Sequence, residues 1–88
     1  MVERTATIVN RVGLHARPAA QIVKLASGFK SEITLVRDDL EVNGKSIMGV
    51  MMLAAERGVQ LIVRADGPDE VQAADAIVQL IADGFGEP

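Results

Sequence analysis

Three stretches of this 88-residue chain change character at every second residue, and that period limits the folds open to it. In Arg4 to Val9, Thr5 and Thr7 alternate with Ala6 and Ile8; in Glu32 to Arg37, Ile33 and Leu35 share a face; in Val59 to Ala65, residues 59, 61, 63 and 65 do. Successive side chains of a strand point to opposite faces, so each stretch predicts a strand with one face buried and one in water. Strands of a parallel sheet covered on both sides read instead as continuous apolar runs. Between these stretches the apolar residues fall three and four apart. Ala19, Ile22, Val23 and Ala26 do so in Ala16 to Ser27, which Gly28 closes, and Val71, Ala74, Val78 and Ile81 do so behind Pro68-Asp69-Glu70, ending near Asp83-Gly84. These are amphipathic helices, the later one opening with acids at the positive end of its dipole.

Two shorter pieces complete the order. Arg37-Asp38-Asp39 turns the chain into a strand around Leu40 to Val42, which forms a hairpin with the strand before it. After the turn Asn43-Gly44-Lys45, Ser46 stands at an N-cap position before Ile47-Met48-Gly49-Val50-Met51-Met52-Leu53. So short a run reads either as a helix or as a buried strand; the serine cap and the methionines favour helix. Glu56, Arg57 and Gly58 are loop. The resulting order, β-α-β-β-α-β-α, predicts an α+β fold in two layers, an antiparallel sheet with helices on one face. A single domain over residues 1–88 is expected, and a monomer, with no internal repeat.

Composition removes several functions. Twelve acids against nine Lys and Arg give a net charge of −3, and there are two Phe with no Tyr or Trp. Phosphate-backbone binding needs a basic surface and base stacking needs aromatic platforms, so no nucleic acid is expected. With no cysteine and one histidine the chain has neither disulfides nor the ligands of a thiolate or imidazole metal site, and no metal or other cofactor is expected. No apolar run approaches the length that spans a bilayer and the N-terminus has no hydrophobic signal core, so no membrane is expected and the cytoplasm is the default location.

The one histidine, His15, lies in Gly13-Leu14-His15-Ala16-Arg17-Pro18-Ala19-Ala20. Proline has a fixed φ and no N–H, so Pro18 suits the first turn of a helix that begins near Ala16. Arg17 then sets a permanent positive charge beside backbone donors that have no intrahelical partner. That charge opposes the helix dipole unless an anion visits. A neutral imidazole offers one nucleophilic nitrogen and a second whose proton a neighbour can steady, so it can take a phosphoryl group without a metal. The N–H groups of Ala16 and Arg17, the guanidinium and the dipole would hold the added charge, and no deep pocket is needed. A hydrolase base would require a nucleophile and an orienting acid, and no serine stands in a G-x-S-x-G elbow. A purely structural histidine would not call for Arg17.

Ser46 has a sufficient structural role as an N-cap. Ile47, Met48, Met51 and Met52, however, make its helix apolar nearly all round, more than one core-facing helix requires. The methionines are either core or a flexible docking surface, and a charge added at Ser46 would disturb docking in the second case.

Gly13-Leu14-His15-Ala16-Arg17-Pro18-Ala19 resembles the phosphorylation signature of the HPr family, the histidine-containing phosphocarriers of the bacterial phosphoenolpyruvate-dependent phosphotransferase system, and Asn43-Gly44-Lys45-Ser46-Ile47-Met48-Gly49-Val50 resembles that family's second signature. The likeness runs the whole chain. It implies an open-faced sandwich of four antiparallel strands with three helices on one side. It implies that His15 accepts phosphate from enzyme I and passes it to a IIA domain, that Arg17 assists, and that the protein is a transfer intermediate rather than a stand-alone catalyst. By the same likeness Ser46 is the target of an HPr kinase/phosphorylase, and Ile47, Met48 and Met51 dock partners. The departure is Val12: this position is often polar in sugar-transport members and can cap the helix or reach the histidine, which valine cannot. Val12 and the Gly84-Phe85-Gly86 tail resemble the nitrogen-related branch, whose relay regulates, and a purely regulatory binding module is the alternative function.

Overall fold

Alternating residues of the strands end on opposite sides of one sheet. Ala6, Ile33, Leu35, Val42, Leu61, Val63 and Ala65 are buried, while Glu3, Thr5, Thr7, Glu32 and Gln60 face water. The structure, a computed structural model describing all 88 residues, runs β1 (Val2–Thr7), α1 (Ala16–Ser27), β2 (Glu32–Arg37), β3 (Leu40–Asn43), α2 (Ile47–Met52), β4 (Gln60–Asp66) and α3 (Glu70–Ala82). The sheet order is β1-β4-β2-β3 and every pairing is antiparallel. This is the expected four-stranded open sheet with three helices.

The run from Ile47 is a helix, as the cap suggested. Several strand boundaries differ from expectation, those of β1 by two residues at each end. β1 begins two residues before Arg4 and stops at Thr7, because its partner β4 begins at Gln60: the ladder runs from Val2 opposite Ala65 to Thr7 opposite Gln60 and has no partner strand beyond. The front end is held by the N-terminal ammonium, 3.0 Å from Glu70 and 3.8 Å from Asp66. Ile8 and Val59 lie just outside the ladder, yet the Ile8 N–H still donates to the Val59 carbonyl at 2.9 Å. After α3 the chain adds a single 3-10 turn, Gly84–Gly86, that the sequence pattern did not announce.

The apolar stripe of α3 is also turned from its expected position. Ala73, Ala74, Ile77 and Ile81 are buried, Val78 is half-buried and Val71 is exposed. The start of the helix fixes that rotation. The Asp69 carboxylate accepts from the N–H groups of Lys30 at 2.9 Å and Ser31 at 3.0 Å and from the Ser31 hydroxyl, tying the N-cap of α3 to the entry of β2. The small Ala73 and Ala74 then lie against the sheet, and Val71, one turn nearer the tether, is carried outward. Twenty residues from every strand and helix form one apolar cluster, with Ile8, Ile22, Leu35, Leu53, Leu61, Ile77 and Ile81 fully enclosed. Each such side chain contributes about 1.5–3 kcal/mol by leaving water.

The Asp69 tether carries a pH signature. The Ser31 hydroxyl foremost, and then the Lys30 N–H, hold its carboxyl at about 2, below its ordinary 3.8. A carboxyl depressed on folding stabilises the fold above its unfolded value, and that stability is lost as pH falls toward the folded value. Asp69→Asn is expected to lower the urea midpoint near neutrality and to flatten its fall between about pH 4 and pH 2; an acid limb as steep as that of the wild type would contradict this role.

Candidate functional site

The loop from β1 into α1 is pinned before the histidine is reached. Gly13 has φ +79°, and a Cβ there would lie 2.7 Å from the Ala55 carbonyl oxygen, so neither the backbone angle nor the space admits a side chain. The close approach lets the buried Leu14 donate its N–H to that same oxygen at 2.8 Å. The loop is thereby tied to the segment that leaves α2. His15 follows as the N-cap of α1, extended at φ −85° and ψ −172°, and its side chain makes no capping bond.

That choice leaves the helix start open. The first helical hydrogen bond runs from the Ala19 N–H to the His15 carbonyl at 3.0 Å. Pro18 has no N–H, and those of Ala16 and Arg17 have no backbone acceptor. No acid lies in the first turn of α1, and the exposed Arg17 guanidinium makes no hydrogen bond or ion pair. His15, Ala16 and Arg17 are thus brought together where the sequence put them.

The imidazole is half-exposed, at 38%, and one face of its chemistry is already committed. Nε2 lies 2.8 Å from Glu87 Oε1; Nδ1 has no protein partner. The same Oε1 accepts from the Asn10 side-chain amide at 2.9 Å, and that amide also donates to the Gly13 carbonyl at 2.8 Å. Asn10 is 1% exposed, and its Oδ1 is buried without a partner. The Glu87 carboxyl is held below its usual range, first by the hydrogen bond to His15, then by that from Asn10 and by the charges of His15 and Arg17, against desolvation that pushes it up.

Glu87 arrives on the C-terminal tail. Gly84, Phe85 and Gly86 have φ of +64°, +60° and +73°, a short left-handed turn that buries the Phe85 ring. The Arg11 N–H donates to the Pro88 carbonyl at 2.8 Å beyond it. Sequence reading missed both Asn10 and Glu87, the latter 72 residues from its histidine. The available signal was an aromatic between two glycines near the chain end, a tail composed to pack. Val12, 67% exposed, neither caps the helix nor reaches the ring; Asn10, two residues earlier, reaches the ring's partner.

Ser46 caps α2, its Oγ accepting the Gly49 N–H at 3.1 Å. The open choice for the apolar residues of this helix falls to the surface. Ile47, Met48, Met51 and Met52 are all exposed, Met48 at 78%, and Val50 alone of the helix is buried. Met52 joins the three residues expected there.

Residues 2–83 match the family model described as "PTS HPr component phosphorylation site". The chain belongs to the HPr family. It is similar to the phosphocarrier protein HPr of Treponema pallidum, 54% identical over 99% of each chain, and to that of Cupriavidus necator, 49% identical over 99% of this chain and 98% of the relative. The crystal structure of HPr-C-His from Thermoanaerobacter tengcongensis superposes with a TM-score of 0.95 at 48% identity, covering 100% of this chain and 99% of the other. As an HPr family member, the chain has the phosphocarrier role of the phosphotransferase system.

The cap at Ser46 is separable from any regulatory part it plays. Ser46→Ala is expected to lower unfolding free energy in urea by about 1 kcal/mol, whereas Ser46→Asp, another good N-cap, stays near wild type. Equal losses in the two variants would show that the Gly49 bond contributes nothing to α2.

Proposed function

We propose that His15 accepts a phosphoryl group on Nδ1 from phosphorylated enzyme I, supplied ultimately by phosphoenolpyruvate, and hands it to a IIA domain. The observation that carries this reading is the unpartnered Nδ1 of an N-cap histidine beside two N–H groups without acceptors. In the forward step the Nδ1 lone pair forms the N–P bond, the donor's bond to phosphorus breaks, and its electron pair stays with the donor. The phosphoryl oxygens are met by the N–H groups of Ala16 and Arg17, by the Arg17 guanidinium and by the positive end of α1. Donation to the IIA domain is the reverse at a new acceptor. The site is shallow, so a partner supplies the walls that exclude water during transfer.

Ile47, Met48 and Met51 are the partner-docking residues in this reading. The path from them to the histidine is short: α2 leaves through Leu53 to Ala55, and Ala55 holds Leu14 next to His15. Phosphorylation of Ser46 by an HPr kinase/phosphorylase would put negative charge at the favourable end of the α2 dipole and against the incoming apolar partner. The protein acts as a monomer in the cytoplasm without a cofactor. The exposed methionine face also supports a second reading, a regulatory module that docks through α2 with phosphorylation as its switch, or a nitrogen-branch relay.

Incubation with phosphoenolpyruvate and enzyme I is expected to give one acid-labile phosphate that is absent from His15→Ala, and label retained in that variant would overturn the assignment. Ser46→Asp is expected to be labelled more slowly; an unchanged rate would remove Ser46 from control of docking. Running the assay with a sugar-type and a nitrogen-type partner pair separates the branches. Partner binding equally tight with and without the His15 phosphate would favour the docking module.

A further inference from the structure

We propose that Met48, Met51 and Met52 form a reversible oxidation site: hydroperoxides convert their thioethers to sulfoxides and withdraw the apolar face of α2 from docking, while the fold stays intact. The kinetic consequence rests on the docking role proposed above; the site itself does not. The chain has no cysteine, so its four methionines carry all of its sulfur. Methionine commonly fills gaps in a core. Here none joins the apolar cluster, and all four reach water: Met1 is 70% exposed, Met48 78%, Met51 43% and Met52 64%. Three of them share α2, Met48 and Met52 one turn apart, and with the exposed Ile47 they make a surface on a helix that has no charged residue.

A sulfoxide inside a core disrupts packing, because a polar oxygen is then buried without a partner. On α2 that oxygen would stand in water. What holds the helix contains no sulfur. At its start the Ser46 Oγ accepts the Gly49 N–H at 3.1 Å. At its exit Arg37 donates to the Leu53 carbonyl at 2.9 Å and to the Ala54 carbonyl at 2.8 Å. Val50 and Leu53 anchor it in the apolar cluster. Oxidation therefore leaves α2 in place and changes only what it shows to a partner. An apolar partner surface would have to strip water from each sulfoxide, and the contact is lost.

In the forward step a sulfur lone pair attacks the terminal oxygen of the hydroperoxide. The S–O bond forms, the O–O bond breaks, and the departing oxygen takes the electron pair and a proton, leaving as an alcohol, or as water from hydrogen peroxide. Sulfur loses two electrons and the peroxide gains them. Methionine sulfoxide reductases run the return, two thiols becoming a disulfide as the oxygen leaves as water. The added group is neutral, so it leaves the dipole of α2 untouched and differs in kind from a phosphate on Ser46. Met1 is a built-in control. Its ammonium lies 3.0 Å from Glu70 on α3, so its thioether belongs to another part of the surface.

The full chain is treated with hydrogen peroxide, which is then removed before any partner is added. Peptide mass mapping is expected to place sulfoxide on Met48 and Met52 first and on Met51 later, with the urea midpoint retained. The treated protein should leave a hydrophobic-interaction column earlier. Its labelling by phosphoenolpyruvate and enzyme I should show KM raised about tenfold with kcat unchanged, the effect of losing one interface anchor. Treatment with the two sulfoxide reductases should restore both readouts. The triple variant Met48→Leu, Met51→Leu, Met52→Leu, compared only with its own untreated sample, should show no such change although Met1 is still oxidised. Sulfoxide confined to Met1, a collapsed urea midpoint, an unchanged KM, or an equal loss in the triple variant would overturn the proposal. If untreated protein takes no label, the carrier reading fails, and the sulfoxide map, the column and the reductases still decide whether α2 carries a reversible oxidation site.

Discussion

An α-helix cannot satisfy its own first backbone donors, and the chain leaves those of α1 open where most proteins close them. A serine or aspartate at position 15 would turn its side chain back onto the helix. His15 does not, and Pro18 withdraws one donor altogether, so the remaining two face outward beside an unpaired arginine. Much of the surrounding structure serves to hold this first turn open. Gly13 brings the loop against Ala55, Leu14 plugs it into the core, and the C-terminal tail lies across its other side.

The same economy explains why so small a domain needs no cleft. The apolar cluster fills the space between sheet and helices, and the outer sheet face carries exposed charge, with Arg64 reaching Glu3 at 2.7 Å and Glu41 at 3.1 Å. Such surface pairs add little stability. The exposed apolar surface is concentrated instead on α2, which keeps only Val50 and the following Leu53 in the core. Arg37, at the end of β2, donates to the Leu53 carbonyl at 2.9 Å and to the Ala54 carbonyl at 2.8 Å, clamping the exit of α2. Ala54 takes φ +47° there. The exposed apolar face of so short a helix is thus braced from the sheet on one side and joined to the histidine loop on the other.

What was legible in the sequence was whatever depended on near neighbours. The two-residue period exposed three of the strands, and the Ser46 cap marked α2, because both are encoded over a few consecutive residues. The ends of β1 were not, since they depend on where β4 begins and ends, more than fifty residues away. The face of α3 was misjudged for a similar reason: Asp69 takes its rotation from Ser31, and periodicity cannot see that tether. His15, Ala16 and Arg17 were readable as a unit because a helix start is local. Asn10 and Glu87 were not, although Gly84-Phe85-Gly86 hinted that the tail was built to pack.

The tail also shows why an open site and a defined one are compatible. A carrier that must meet more than one partner cannot enclose its reactive group, yet a half-exposed ring on a two-torsion side chain has orientational freedom that each transfer would have to remove. Enclosure would remove it by packing, at the expense of access. Here the freedom is limited from the far edge of the ring, through Nε2, by a carboxylate that Asn10 and the buried Phe85 keep in place. The near edge, Nδ1, stays unobstructed beside the open helix start. Restraint and access thus fall on opposite nitrogens of one imidazole, an arrangement only histidine among the side chains can provide.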